Sequence, residues 1–381
     1  FTVTTPGGSS FSVANVAGFG FLGGQGDVAM HGGRGMSFTG TRLSLTGRNV
    51  TMLDSQIAAD GFALAAVGGG SVEISLAAPR TITGNGRLLI ADSVLRSSGA
   101  DGILLSGGII DLTNAGIGTA FAPGRFDGVG GPIDINGRIV TILNSLISAS
   151  TSGPEPAGEI RIAGQNITIA GGSMIQSETD RGSTGEAGAI RINGDAIDIL
   201  DGSRISSSTL TAAQSGAIFV NGRAVRIMDG SVLASDVRPG TTGSAGSIQI
   251  LGSTLTMENG ATLSSVSEGF GQAGLINIFV DSAIRLTRSN IISEARGQSS
   301  GAGIVSLNAS SIMLDNAVIS TTTNTSGDAG VVGISTDDME LRDRSVILSI
   351  SAPGAAGNAG QVSIQRRGET GGRLLLTGGS A

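Results

Sequence analysis

A glycine recurs along this chain at Gly131, Gly158, Gly188, Gly216, Gly246, Gly274, Gly303, Gly330 and Gly360, at intervals of 27 to 30 residues. In seven of these places it closes an Ala-Gly pair, from Ala157-Gly158 and Ala187-Gly188 to Ala359-Gly360. A fixed period of this length is the signature of a solenoid or array rather than of a chain that folds around one centre.

Counted from each glycine, apolar residues fall at the second and fourth positions: Ile160/Ile162, Ile190/Ile192, Ile218/Val220, Ile248/Ile250, Ile276/Ile278, Val305/Leu307, Val332/Ile334 and Val362/Ile364. A period of two means a strand with one buried face. A second pair follows a short turn, as in Ile167/Ile169, Ile197/Ile199, Val225/Ile227 and Leu255/Met257. A third apolar position closes the unit at Ile175, Ile205, Leu233, Leu263, Ile292, Ile319 and Ile347. These residues are β-branched-rich, as strands prefer. The remaining Gly/Ser/Thr-rich stretch, such as Thr179 to Ala187 or Asp236 to Ala245, reads as a variable loop.

The same template reaches upstream through Leu43/Leu45, Val50/Met52 and Ile57, and through Ile133/Ile135, Val140/Ile142 and Ile147. The chain divides into N-terminal coils over 1–60, looser coils over 61–130 and regular repeats over 131–381, all within one continuous solenoid, 1–381. In the looser part Val72/Ile74, Leu88/Ile90 and Ile110/Leu112 are expected first strands, and Phe121 to Gly130 an inserted loop.

A lone unit cannot fold, because five inward aliphatic side chains do not offset the ordering of a whole turn of backbone. Its strand edges and apolar face must be met by the units above and below. The expected fold class is therefore all-β: a parallel β-helix of about 28 residues and three strands per coil, with coils spaced about 4.8 Å apart. Like residues then stack. Asn193 and Asn221 are placed to bond amide to amide, and Asp201 and Asp229 to stack unfavourably.

Composition narrows the chemistry. Gly numbers 64 of 381 residues, but the glycines follow no triplet and Pro numbers only 8, which excludes collagen and argues against disorder. There is no Cys, Trp, Tyr or Lys and a single His31. Disulfides, thiolate nucleophiles, cysteine-ligated metals, Schiff bases and P-loop lysines are thereby excluded. All 23 basic residues are Arg, and the net charge of −7 is spread along the chain, so no nucleic-acid partner is expected.

The block Phe19-Gly20-Phe21-Leu22-Gly23, followed by Leu43-Ser44-Leu45-Thr46-Gly47-Arg48-Asn49-Val50-Thr51-Met52, resembles the region after the secretion domain in filamentous-haemagglutinin-like exoproteins of two-partner secretion. The Ala-Gly-x-Ile-x-Ile units are similar to the large-repeat portion of that family. The resemblance implies a right-handed β-helix, export through an outer-membrane barrel partner, and an adhesin, biofilm or surface-fibre role outside the cell.

No catalytic, cofactor-binding or metal-binding residue is assigned. Three features were candidates. Asp337-Asp338 is the one adjacent acid pair a polysaccharide lyase or hydrolase could use, but it falls where turns carry acids. His31 lies in Gly-rich sequence with no nucleophile elbow. Gly23-Gly24-Gln25-Gly26-Asp27 and Gly32-Gly33-Arg34-Gly35-Met36 match calcium-binding nonapeptides imperfectly. On the outer face of the first strand, Arg161, Arg191, Phe219, Gln249 and Asn277 follow one another, with Phe219 the odd aromatic. A start at Phe1 and a final segment, Gly371 to Ala381, in mid-repeat lead to the expectation of a processed or partial chain that continues as a longer rod or associates head to tail into filaments. The expected function is a secreted, non-catalytic adhesin or fibre subunit. The alternatives are a polysaccharide-degrading enzyme and a module that binds surface glycans.

Overall fold

The computed structural model describes residues 18–21, 26–69, 72–75, 84–119, 130–180, 182–368 and 372–381. These contain strands and turns and no helix. The chain winds as a parallel β-solenoid whose stacked strands are spaced about 28 residues apart through about nine turns.

Three columns of apolar side chains run the length of the stack, buried except in its end coils. The first reads Leu43, Phe62, Ile103, Ile133, Ile160, Ile190, Ile218, Ile248, Ile276, Val305, Val332, Val362. The second reads Val28, Val50, Leu88, Ile110, Val140, Ile167, Ile197, Val225, Leu255, Ile284, Ile312, Met339, Leu374. The third runs from Met36 through Ile57, Leu95, Ile117, Ile147, Ile175 and Ile205 to Ile347. Every step is a parallel pairing, so each strand edge is met by its equivalent one turn away.

These columns correct the reading of the looser region. Leu88/Ile90 and Ile110/Leu112 belong to the second column, and the first strands there are Phe62/Leu64 and Ile103/Leu105. Val72/Ile74 lie outside the stack, in Val72–Ser75, which pairs antiparallel with Gly18–Phe21. The period was hidden for a physical reason. In these coils the third strand passes almost directly into the next first strand, as from Ala59 to Gly61, while an excursion separates Ala66 from Arg87. The loop expected at Phe121 to Gly130 lies outside the described residues except for Gly130.

A second correction concerns one residue. Ile291, not Ile292, fills the third column. Two corner designs precede the third strand. In one, two residues in succession take positive φ, as at Asp201 (56°) and Gly202 (69°); in the other only one does, as at Arg288 (48°). The shorter corner moves the inward position by one residue, and in a strand one residue exchanges the faces. Arg344 (φ 64°) stands where Gly172, Gly202, Gly230 and Gly260 stand in other two-residue corners. A side chain is strained in that conformation, so Arg344→Gly is expected to raise stability by about 0.5–1 kcal/mol, read from urea unfolding; an unchanged or lower midpoint would refute the strain.

The supposed variable loop is a fourth stacked side. Thr151, Thr179, Thr209, Val237, Ser267, Ala295, Thr323 and Ser351 form successive parallel bridges. Their lobe is filled with hydroxyls: Thr179 Oγ1 lies 2.8 Å from Thr209 Oγ1, and Thr323 Oγ1 3.0 Å from Thr325 Oγ1. From Thr151 on, the coils thus hold an aliphatic compartment beside a hydroxyl-rich one, in which buried polar groups bond to one another.

Where the compartments meet stands the repeating glycine. Ser177, Ser207, Ser235, Ser265, Ser293 and Ser349 donate through Oγ to the carbonyls of Gly158, Gly188, Gly216, Gly246, Gly274 and Gly330 at 2.5–2.9 Å. Three of these hydroxyls also accept from the next glycine's N–H, Gly188, Gly246 and Gly274, at 3.1 Å. A Cβ on Gly274 would collide with the Gly246 carbonyl oxygen. The repeat therefore marks a point where the backbone of the preceding coil leaves no room for a side chain.

Side chains also bond along a corner, though not where expected. Asn193 and Asn221 stack in register without an amide bond between them. The ladder forms at the positive-φ corner instead: Asn144 Nδ2 donates to Asn114 Oδ1 (2.6 Å), and Asn114 Nδ2 to Asp92 Oδ1 (2.8 Å). Asp229 stacks near Asp201 but is relieved from the other side, accepting from Asn259 Nδ2 at 2.9 Å.

Candidate functional site

The outer face of the first strands divides into two halves. In the N-terminal half a charged network climbs from coil to coil. Arg161 pairs with Asp134 (3.1 Å) and with Glu159, and Arg191 with Glu159 (2.6 Å). The Arg191 guanidinium then lies over the Phe219 ring, 4.2 Å from its centre. The stacking accounts for Phe219: its partner is the cation one coil below, an intramolecular cation–π contact.

In the C-terminal half the strand residues themselves carry no charge. Three outward columns cross it: Ser247, Leu275, Ile304, Val331, Gln361; then Gln249, Asn277, Ser306, Gly333, Ser363; then Leu251, Phe279, Asn308, Ser335, Gln365. Leu275, Ile304 and Val331 are adjacent in register and 40, 48 and 37 % exposed, an aliphatic stripe on the outside of the sheet. The sequence carried a signal for this stripe: the residue after the repeating glycine is Glu159, Ala189, Ala217 or Ser247 in earlier coils and turns aliphatic only here.

The acid pair is part of the wall. Asp337 Oδ1 accepts from the Gly368 N–H at 2.9 Å, anchoring the excursion that leaves the strand Gln361–Gln365. From this excursion Arg367 reaches back along the corner, donating to the Asp281 carbonyl (3.0 Å) and to Ser310 Oγ (3.2 Å), with its guanidinium 6.0 Å from the Phe279 ring. The receptor for this strap is a bulge: Gly252 pairs with Val280 but Thr254 with Ala283, so Val280 turns into the core and Phe279 and Asp281 turn out. Asp338 is exposed and stacks between Ser311 and Arg373.

Other carboxylates are likewise engaged one at a time. Asp27 accepts from Arg48 (3.0 Å) and Asn49 (3.0 Å), and the hydrogen bond from Arg48 holds its carboxyl below the usual range. Glu340 is lowered in the same way by Arg342, 2.8 Å away. Along the outer edge of the third strand, Ser264 Oγ donates to Asp236 (2.7 Å) and Ser320 Oγ to Glu294 (2.6 Å), while Ser206 Oγ donates to Glu178. His31 is exposed at the end of Val28–His31. Of the two nonapeptide-like stretches, residues 22–25 lie outside the described residues and Asp27 is committed to Arg48 and Asn49.

Among the described residues no three His, Asp or Glu side chains are grouped to hold a metal ion. A hollow of about 130 Å³ beside Gly35, Met36, Gln56, Ile57 and Arg96 is smaller than the roughly 300–1,000 Å³ of a small-molecule pocket. What this molecule offers is extended surface, of which the uncharged half-face is the most distinct part. No protein-family model, curated protein or solved structure matches the chain.

Proposed function

We propose that the protein is a non-catalytic structural rod, a subunit or stretch of a secreted surface fibre or adhesin that associates head to tail. The observation that carries this reading is the repetition of one coil plan: like apolar residues stack from Ile103 to Val332, each strand paired in parallel with its equivalent one coil away, an arrangement that further coils of the same plan extend. Val362, Ile364, Leu374 and Leu376 continue the buried columns, yet are 41, 41, 52 and 49 % exposed.

The resemblance to filamentous-haemagglutinin-like exoproteins supports an extracellular place for the rod and an outer-membrane barrel as its export partner. Electron microscopy of the purified protein tests the reading. Head-to-tail association is expected to give filaments longer than one molecule, and Leu374→Arg, at an exposed column position, to shorten them to single rods. Dispersed single-length particles of the full-length protein at high concentration would overturn it, as would polysaccharide cleavage lost in Asp338→Ala.

A further inference from the structure

We propose that the uncharged half-face is a lateral self-association surface, on which a second copy of this chain packs antiparallel about a two-fold axis near Ile304. The inference concerns the flank of the rod, whereas the association proposed above concerns its end.

Three observations single out this surface and its occupant. First, the face is uncharged over five coils, from Ser247 and Gln249 to Gln361 and Gln365, on a chain of net charge −7. Charges stand at its margins: Asp281 and Arg367 past Phe279, and Asp328 ahead of Val331. Two copies carrying like net charge repel, and burying a charge without a partner is costly. Here two copies approach with neither penalty across the patch.

Second, the pattern is self-complementary. The central stripe has Ile304 between Leu275 and Val331 in consecutive coils. A two-fold perpendicular to the rod sets Ile304 on Ile304 and Leu275 of one copy on Val331 of the other, the isologous arrangement of closed dimers. In the neighbouring column Ser306 then faces Ser306 of the other copy, and Asn277 faces the space left open by Gly333. Flat sheets pack in this way at about 10 Å, with side chains interdigitating.

Third, the area sets the strength. Five coils of five residues give roughly 400 Å² on each copy, or about 800 Å² in all, below the roughly 1,200–2,000 Å² of stable complexes. The pair is therefore weak between single molecules and gains by repetition along a fibre, where each contact raises the effective concentration for the next.

Sedimentation equilibrium of the full chain, with small-angle scattering to read the cross-section of the rod, tests the proposal. Concentration-dependent pairing that widens the cross-section is expected in the high-micromolar range, strengthened by added sulfate. Ile304→Arg, at an exposed site where folding is not at risk, should weaken pairing at least tenfold, and Ile304→Asp likewise. Mixing the two variants should restore it to within about threefold of the original, because the two-fold places the opposite charges together. A full chain that stays single at millimolar concentration would overturn the proposal, as would pairing untouched by Ile304→Arg or not restored by mixing. Binding of a neutral polysaccharide lost in Ile304→Arg, with no pairing of copies, would assign the face to that ligand instead. Loss of filament length in Leu374→Arg leaves this test unaffected, so the two proposals fail separately.

Discussion

Gly274→Ala is expected to cost about 3 kcal/mol or more. The added Cβ would collide with the Gly246 carbonyl oxygen and stand 2.6 Å from Ser265 Oγ and 2.8 Å from the Gly246 carbonyl carbon. None of these atoms is the end of a flexible side chain. Ser265 Oγ is fixed by its bonds to Gly246 O (2.9 Å) and Gly274 N (3.1 Å), and Gly246 is itself pressed by Gly216. Relief therefore requires two coils to part, with loss of both the hydroxyl bonds and the pairing beside them. Gly69→Ala is the matched control: nothing lies within 4 Å of its added Cβ, and its midpoint in urea should barely move. If Gly274→Ala unfolds within about 1 kcal/mol of the parent, the close approach of coils is not what the repeating glycine provides.

Phe62→Ala should cost about 3–5 kcal/mol, the range for emptying an aromatic core site. Phe62 is fully buried in the first column between Leu43 and Ile103, and it is the largest side chain there. In a stack where each coil touches only its neighbours, the damage should stay local. Amide exchange should speed up over the strands Gln56–Ala66 and Val94–Thr113 while Ile218–Met228 and Ile248–Glu258 keep their protection. Phe270→Ala, at an exposed ring, should stay within about 0.5 kcal/mol. Equal costs for the two would mean that Phe62 does not hold its column.

Phe62 also explains how far the sequence could be read. From Gly131 on, strands, columns and spacing were legible because each coil repeats one length and one order of corners. Phe62 and Ile103 are not legible in the sequence as equivalents of Ile133, since the excursion between Ala66 and Arg87 stretches the interval from Phe62 to Ile103. Ile291 was displaced by one place because Arg288 makes a one-residue corner, a backbone choice that side-chain pattern does not announce. The hydroxyl lobe reads as loop in the sequence, since Ser and Thr are the residues of surface turns as well as of buried ladders. Thr179 and Thr209 differ from turn residues only by meeting each other across a coil. For the surface, alternation revealed which residues face outward, but not that Phe219 is covered by Arg191 or that Asp337 is bound to Gly368.

The serine-to-glycine clasp has a consequence for how such a molecule lengthens. Its bonds connect a serine with its own coil's glycine, with the next one and, at 3.5 Å, with the serine carbonyl one coil back, and none reaches beyond a neighbouring coil. A block such as 246–273, which begins at one such glycine and stops before the next, brings its own fastener and leaves a matching socket behind it. Duplication or loss of a block in the gene therefore changes reach without redesigning a joint, and the distance the protein spans becomes something selection can adjust one rung at a time.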